Sequence, residues 1–309
     1  MTAQSGRPFV EAALAHDQPT GDRRIEVARE TRLLLARTFL ENRLAVASLV
    51  AFVVVLLFCF VGPHVYHSNQ VTVNLLDINE PPSRAHPLGT DSSGYDVLGR
   101  LMIAGQSSLE IGVTAALLAV CFGTTWGSIA GFVGGKLDTV MMRTVDTLLA
   151  VPTLLLTLLL ASIYKPSLGV LIVIVAVVSW LIVARLVRGE TISLKTRDFV
   201  AASRSFGGAR WRIVVRHVVP NALSVIVVQG TFAVSDAVLL LAALGYLGLG
   251  PSPPATNWGE MLSNGLNYIY DGYWWQVYPA GLAIVVTVIA INFVGDGLRD
   301  SFEVRLRRR

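Results

Sequence analysis

The sequence predicts an all-α integral membrane protein with six transmembrane helices and both termini in the cytoplasm. Of its 309 residues, 53% are hydrophobic and only 15% are charged, which is too apolar for a soluble domain of this length. Six apolar runs are long enough to cross a hydrocarbon core, which takes about 20 helical residues. Lysines and arginines concentrate in alternate connecting segments, as the positive-inside rule predicts for a multi-pass protein.

The first apolar run, residues 44–61, follows a polar stretch rich in arginine. A secretory signal would place its apolar segment nearer to the start and end it in small residues, whereas a Gly-Pro-His loop follows this run. We therefore expect residues 1–43 to be a cytoplasmic tail and residues 44–62 to form the first transmembrane helix.

The next segment, residues 63–107, is polar and contains several prolines, so we expect it to be external. Its histidines have a spacing that fits no compact set of metal ligands, and no cysteine assists them, so we predict no metal site. These histidines are His64, His67 and His86. Cys59 and Cys121 each lie inside an apolar run and are expected to be buried free thiols.

Five further apolar runs predict a five-helix core over residues 108–300. They are residues 109–133, about 140–163, 168–186, 222–249 and 277–294. In the first of these runs, glycines recur at four-residue spacing, which favours close helix packing; they include Gly123, Gly127 and Gly131. Arg143 and Asp146 lie three residues apart at a membrane edge and are expected to form a structural ion pair.

The distribution of basic residues gives the predicted topology. With the N-terminus inside, three basic residues after the tail fall on the external side: Arg84, Arg100 and Lys165. The loop 190–217 and the basic end 301–309 are then cytoplasmic. The loop 251–276 contains no lysine or arginine and is therefore expected to be external.

The stretch 198–221 is basic and amphipathic, and it separates two long apolar runs. Asp198 is expected to cap a helix that extends to Phe206. Gly207 and Gly208 should then provide the left-handed conformation that ends a short helix.

A second helix should follow until Pro220 removes an amide donor and breaks it. Its apolar face would carry Trp211, Val214, Val215 and Val218. Amphipathicity alone explains the whole stretch as a connecting loop on the lipid surface.

The spacing within this stretch resembles the EAA loop of ABC importer permeases, the element that docks into a groove on the ATPase subunit. A glycine stands five positions after Ala202, and a proline stands thirteen positions beyond that glycine. The match rests on four residues: Ala202, Gly207, Pro220 and Asn221. Ala201 replaces the glutamate of the motif, and Ser203 replaces its second alanine.

Further motifs between residues 86 and 300 resemble the C-type permease of dipeptide and oligopeptide ABC importers. They are His-Pro-Leu-Gly-Thr-Asp at 86, Gly-Gly-Lys-Leu-Asp at 134, Met-Arg-Thr-Val-Asp at 142, Leu-Gly-Tyr-Leu-Gly-Leu-Gly at 244, Pro-Pro-Ala-Thr-Asn-Trp-Gly-Glu-Met-Leu at 253 and Asn-Phe-Val-Gly-Asp-Gly-Leu-Arg-Asp at 292. One departure is Leu241, which stands where many relatives carry an acidic residue.

The resemblance implies a type I ABC importer permease fold in a bacterial cytoplasmic membrane. It implies half of a pathway for di- and oligopeptides, beside a related B-type permease, one or two ABC ATPase subunits and an extracellular binding protein. Some relatives carry nickel or haem instead. The residues expected to contact the ATPase are Phe199, Ala201, Ala202, Ser203, Phe206, Gly207 and Pro220.

The sequence contains no set of residues that would support catalysis. Gly134-Gly135-Lys136 comes closest to a phosphate-binding loop, but Ala130 and Leu137 stand where that loop needs glycine and a hydroxyl residue. No nucleophile elbow, zinc-protease motif or carboxylate pair is present. We therefore expect a non-catalytic chain that binds neither cofactor nor nucleic acid, with ATP and Mg²⁺ on partner subunits.

An alternative class is the ion-coupled secondary transporter, which needs ionisable residues inside the membrane. Asp236 is nearly the only ionisable residue in its apolar run. It should therefore face protein or a water-filled path, and it is a candidate for the translocation pathway. Aromatic residues of the external loop favour the lipid headgroup layer whatever the function. Candidates for a docking face or outer gate in that loop are Trp258, Glu260 and Asp271.

Overall fold

The computed structural model describes residues 36–307 except residues 69 and 165. This part of the chain is helical, and its isolated β bridge joins Thr90 to Asp96. From residue 43 onward the helices are α1 (Arg43–Phe60), α2 (Gly62–Val65), α3 (Val97–Val133), α4 (Gly135–Leu149), α5 (Thr153–Ile163), α6 (Leu168–Lys195), α7 (Asp198–Ser205), α8 (Arg210–Ile213), α9 (Val219–Tyr246), α10 (Trp258–Leu266) and α11 (Tyr278–Arg307). A π-helix (Val214–Val218) joins α8 to α9, and two 3₁₀ turns (Ile269–Asp271 and Trp274–Gln276) precede α11.

Within the described residues, five helical segments are long and apolar enough to cross a membrane. They are Arg43–Phe60, Val97–Val133, Leu168–Lys195, Arg210–Tyr246 and Trp274–Glu303. A sixth candidate is the pair α4 and α5, which bends by 82°. The bend lies at Pro152, whose ring supplies no amide donor to continue α4. The prediction of membrane-spanning helices is confirmed, and the run predicted at about 140–163 is two helices with a sharp break.

One of these helices, α3, begins within the segment predicted to be an external loop. Asp96 caps it, because its Oδ1 accepts a hydrogen bond of 2.8 Å from the Gly99 amide. Further along, the glycines of α3 lie against α6; a Cβ atom at Gly123 would come within 2.8 Å of the Trp180 carbonyl oxygen. The prediction that these glycines allow close helix packing is confirmed.

Two ion pairs join α4 to α6. Arg185 Nη2 lies 2.5 Å from Asp146 Oδ1, and Arg188 donates to both carboxylate oxygens of Asp138 at 2.5 and 2.7 Å. The predicted ion pair between Arg143 and Asp146 is therefore wrong. Packing of α4 against α6 brings a guanidinium of the second helix into direct contact with the Asp146 carboxylate.

Two buried clusters at opposite ends of α3 position the candidate sites. One joins α6, α7, α8 and the π-helix and includes Val187, Val200, Ile213 and Val218. The other joins α1, α3, α10 and α11 and includes Cys59, Leu101, Trp258 and Trp275. Cys59 is buried as predicted, but Cys121 is exposed because it lies on the outer face of α3.

Candidate coupling surface and translocation groove

The coupling stretch begins with α7, whose first helical residue is Asp198. Arg197 occupies the capping position, and no side chain caps this helix, so the prediction that Asp198 is the cap is wrong. Arg197 has extended backbone angles, and the helix starts one residue earlier than that prediction requires. The Asp198 carboxylate instead lies in the first turn, where the helix dipole favours a negative charge.

A glycine turn ends α7, as predicted. Phe206 occupies the C-terminal capping position, and Gly207 adopts a φ of +73°, in the left-handed region. The Gly208 amide then donates a hydrogen bond of 3.1 Å to the Ser203 carbonyl oxygen. A Cβ atom at Gly207 would meet no other atom within 4 Å, so the backbone angle alone disfavours other residues here.

The side chains of α7 fall into one buried anchor and an exposed face. Val200 is fully buried in the cluster that contains Leu194 and Ile213. The exposed face carries Phe199 (40%), Ala201, Ala202 and Phe206 (91%), with Ser203 half-buried beside them. Small residues between two exposed phenylalanines form an apolar surface that a second protein could approach closely.

The second part of the stretch is the start of a long helix rather than a separate short one. α8, the π-helix and α9 form one segment, Arg210–Tyr246. At the end of the π-helix, the Val219 amide donates to the Val214 carbonyl oxygen, five residues back. Pro220 then falls in the first turn of α9, where the missing amide is tolerated. The prediction that Pro220 breaks the helix is therefore wrong.

The predicted apolar face of this segment is divided between two sides of the helix. Val214 and Val218 are buried in the bundle, whereas Trp211 and Val215 are 64% and 48% exposed. The π-helix contains more residues per turn than an α-helix, so the α-helical spacing behind the prediction does not hold here.

Asp236 lines a groove of about 370 Å³ between α5, α6 and α9. The polar residues of its lining are Thr153, Ser179, Gln229 and Asp236. Leu149 and Thr153, on either side of the bend at Pro152, both line it, so the groove lies beside the break between α4 and α5. In the described part of the chain the Asp236 carboxylate has no hydrogen bond or ion pair, and it is exposed to this groove.

Trp258, a candidate for a docking face or outer gate in the external loop, is 1% exposed. Its indole Nε1 donates to the Leu101 carbonyl oxygen at 3.0 Å, and its amide donates to Ser108 Oγ at 3.3 Å. The predicted docking role of this side chain is wrong, because these bonds bury it between α10 and α3.

Glu260 is half-buried at the start of α10. Asn257 Oδ1 accepts a hydrogen bond of 2.8 Å from the Glu260 amide and so caps the helix. Burial raises the pKa of the Glu260 carboxyl, and a hydrogen bond from Thr256 and the charge of Arg100 partly oppose this shift. Of the three residues proposed for the external face, Asp271 is the one with an exposed side chain.

The sequence did not predict the contacts that fasten the external segment to the loop before α11. Trp275 Nε1 donates to the Thr90 carbonyl oxygen at 3.1 Å, and Gln276 Nε2 donates to Asn79 Oδ1 at 2.7 Å. The sequence feature that could have indicated these contacts is the His-Pro-Leu-Gly-Thr-Asp motif at residue 86. Thr90 of this motif accepts the hydrogen bond from Trp275, which lies 185 residues further along the chain.

A second contact set in the external segment is centred on Asp96. Its Oδ2 accepts a hydrogen bond of 2.8 Å from the Tyr66 hydroxyl and lies 2.8 Å from His86 Nδ1. Burial, together with the hydrogen bond to Asp96, raises the pKa of Tyr66 to about 12. His86 therefore helps to hold the loop at the start of α3.

Two family models match the chain. The N-terminal transmembrane domain of oligopeptide transport permease C matches residues 34–82, and the binding-protein-dependent transport system inner membrane component matches residues 123–308. The second model covers more than half of the chain. The chain belongs to this family of transport permeases.

Curated relatives resemble the permease over most of its length. It is 39% identical over 270 residues to the oligopeptide transport system permease protein OppC of Bacillus subtilis strain 168, covering 87% of this chain and 88% of the relative. It is 37% identical over 272 residues to the dipeptide transport system permease protein DppC of the same strain (88% and 85% covered). It is 40% identical over 273 residues to OppC of Escherichia coli strain K12 (88% and 90% covered).

A solved structure shares the fold of the permease. Inward-facing conformations of the MetNI methionine ABC transporter match with a TM-score of 0.54 and 21% identity, over 68% of this chain and 97% of that chain. The likeness confirms the ABC importer permease fold. The permease is thus a transmembrane subunit of an ABC importer in the bacterial inner membrane, as predicted.

Proposed function

We propose that the permease forms half of a translocation pathway for di- and oligopeptides. The observation that carries this proposal is its 37–40% identity, over almost nine-tenths of the chain, to permeases named for oligopeptide and dipeptide transport. The other half of the pathway would be a related B-type permease. An extracellular binding protein would deliver the peptides.

The proposed topology has six crossings and cytoplasmic termini. The bent pair α4 and α5 supplies the sixth crossing, and the distribution of lysine and arginine gives the orientation. Three segments are then cytoplasmic: the tail 1–43, the loop 190–217 and the end 301–309. The loop 251–276 is external.

The exposed face of α7 is the proposed contact with an ATPase subunit. Val200 holds the helix to the bundle, while Phe199 and Phe206 lie on either side of small residues that allow close approach. Closure of ATP-bound motors would move α7, and the continuous segment Arg210–Tyr246 would carry that motion to the groove. ATP and Mg²⁺ would be bound by the motors, and the permease itself would hold no cofactor.

The groove at Asp236 is the proposed part of the solute pathway in this subunit. An unpaired carboxylate within a membrane-spanning helix is costly unless it faces water or a polar ligand. Asp236 and Gln229 would offer acceptors to a hydrated peptide as it passes. On the external side, Asp271 is the proposed contact for the binding protein.

Reconstitution of the assembled transporter would test the substrate. The chain is co-expressed with a B-type permease, the ATPase subunits and the binding protein, and purified into liposomes that contain ATP. We expect uptake of labelled di- and tripeptides that depends on all the subunits. Uptake of Ni²⁺ or haem without peptide uptake would overturn the proposed cargo.

Reporter fusions would test the topology independently of the cargo. Reporters inserted near Ser203 or fused after residue 309 should be cytoplasmic, and one near Asn257 should be external. An external signal at Ser203 would exclude the proposed contact between α7 and an ATPase.

A further inference from the structure

A basic cavity lies at the N-terminal end of the long segment Arg210–Tyr246. It is open, has a volume of about 500 Å³, and is lined by Trp211, Arg212, Val215, Arg216 and Pro220. Arg212 and Arg216 are four residues apart at the junction of α8 and the π-helix, and both line the cavity. The exposed side chains of Trp211 and Val215 give the cavity an apolar floor. Two charged donors therefore stand beside an apolar surface.

Some arginines of α6 and α7 have partners within the chain. Arg185 pairs with Asp146, and Arg204 lies over the Phe132 ring with its Cζ atom 4.9 Å from the centroid. Within the described residues, neither Arg212 nor Arg216 makes a hydrogen bond, ion pair or ring contact. The described lining contains no carboxylate, so these residues give the cavity a positive charge.

We propose that this cavity binds an anionic phospholipid. The phosphate would lie between Arg212 and Arg216, with the start of an acyl chain against Trp211 and Val215. Guanidinium groups suit phosphate because they donate several hydrogen bonds in one plane. An indole suits the same site because Trp favours the headgroup layer.

The position of the cavity along the helix fits a headgroup. Arg216 lies six residues before the apolar run that begins at residue 222, about 9 Å along a helix that rises 1.5 Å per residue. A long arginine side chain can extend over part of that distance towards the phosphate level. The proposed topology puts this end on the cytoplasmic side, where anionic lipids attract basic residues. The bound lipid would hold the N-terminal end of α9 at the membrane surface, beside α7.

Native mass spectrometry of the purified full-length chain in detergent would test the site. The probes are phosphatidylglycerol and phosphatidylcholine with the same palmitoyl and oleoyl chains, and inorganic phosphate. The test variant is Arg212→Gln/Arg216→Gln. The matched control is Arg197→Gln/Arg210→Gln, which removes the same charge from exposed positions outside the cavity. Arg212→Lys/Arg216→Lys keeps the charge.

We expect the wild-type chain to bind one phosphatidylglycerol in preference to phosphatidylcholine. The glutamine pair should weaken that binding by about tenfold, because each basic residue near a phosphate contributes appreciably to lipid affinity. The lysine pair should keep part of the affinity, because it keeps the charge but loses the planar donors. The control should match the wild type, and about a 10-fold excess of inorganic phosphate over lipid should not displace the bound lipid.

Three results would overturn the proposal. An equal loss in the control pair would mean that only overall charge matters. Displacement by inorganic phosphate would mean that a free anion, not a lipid, is the ligand. If the glutamine pair kept its lipid preference but no longer associated with the ATPase subunits, the cavity would be a protein contact instead. Unchanged thermal unfolding of all three variants would confirm that each of them is folded.

Discussion

The indole N–H of Trp275 donates a hydrogen bond of 3.1 Å to the carbonyl oxygen of Thr90. Gln276 Nε2 donates to the same oxygen at 3.3 Å. Gly89, next to Thr90, has a φ of +69°, and a Cβ atom there would lie 2.7 Å from Trp275 Nε1. The segment before α3 and the loop before α11 are therefore held together closely, with no space for a side chain between them.

Trp275→Phe should weaken this connection while it keeps most of the buried ring. Because Gln276 still donates to the Thr90 oxygen, the loss should be that of one hydrogen bond, about 1 kcal/mol. For a chain of this size we expect the apparent Tm in detergent to fall by about 2 °C. Trp274→Phe, at an exposed position, is the control. Equal shifts in the two variants would show that the hydrogen bond to Thr90 contributes nothing.

Gly207→Val should uncouple ATP hydrolysis from peptide transport, because a β-branched residue tolerates a φ of +73° poorly. The left-handed backbone of valine should raise the conformational energy of the turn that positions α7 by about 1–2 kcal/mol. Gly189→Val is the matched control, since a Cβ atom would have free space there too but φ is not positive. The measurement is peptide-stimulated ATPase activity of the assembled transporter. Wild-type stimulation in Gly207→Val would exclude α7 as the coupling element.

Asp236→Asn should lower peptide uptake several-fold without changing assembly, because it replaces the carboxyl group that the groove presents to the solute. Asp296→Asn is the control, since that exposed carboxylate on α11 does not line the groove. Both variants should co-purify with their partner subunits. Equal uptake by the two variants would remove Asp236 from the pathway.

Glu260→Gln should make the chain more stable at neutral pH. Burial raises the folded-state pKa of Glu260 above its ordinary value near 4.5, so the folded state favours the protonated form. The wild type therefore loses stability as the pH rises from that value through the raised pKa, and the glutamine variant does not.

Melting curves of the two proteins in detergent between pH 4 and pH 8 would check this. We expect the variant to melt higher at about pH 7 and the two curves to converge near pH 4. Glu80→Gln, which changes an exposed carboxylate of the external segment, should follow the wild type at every pH. A variant that is no more stable than the wild type at high pH would show that Glu260 carries no burial cost.

Asp271→Lys should slow delivery of peptide by the binding protein. An exposed acid in a loop without basic residues would attract a basic patch on that partner, and the reversed charge would repel it. The defect should be largest at low ionic strength and shrink as salt screens the charges. Glu303→Lys makes the same charge change at the proposed cytoplasmic end and should leave delivery unchanged. Uptake kinetics at several salt concentrations would separate the two variants.

Local rules predicted the features that depend on a few adjacent residues. A pair of glycines after a helical pattern predicts the left-handed turn at Gly207. The four-residue spacing of glycines in α3 likewise predicts the close packing of that helix. The break at Pro152 is also local, but the apolar run through it concealed the bend because hydropathy does not register helix direction.

Features that depend on distant partners could not be predicted in this way. Trp258 stands in a proline-rich loop, a setting that suggests exposure, but the Leu101 carbonyl oxygen that holds it is 157 residues away. A proline usually ends a helix, but the shift in hydrogen bonding at the π-helix places Pro220 in the first turn of α9. Asp146 likewise pairs with Arg185 because of how two helices pack.

The π-helix Val214–Val218 also affects the angle at which α8 and α7 are oriented around the axis of α9. Each residue of an α-helix turns the chain by about 100°, so one residue more or fewer in this turn would rotate α8, and the chain leading back to α7, around the axis of α9. Every side chain on α7 would be unchanged, yet its exposed face would point in another direction. The orientation of the coupling surface relative to the membrane thus depends on the number of residues in this turn as well as on the anchor at Val200. A one-residue deletion in the turn would alter that orientation without removing any residue of the exposed face of α7.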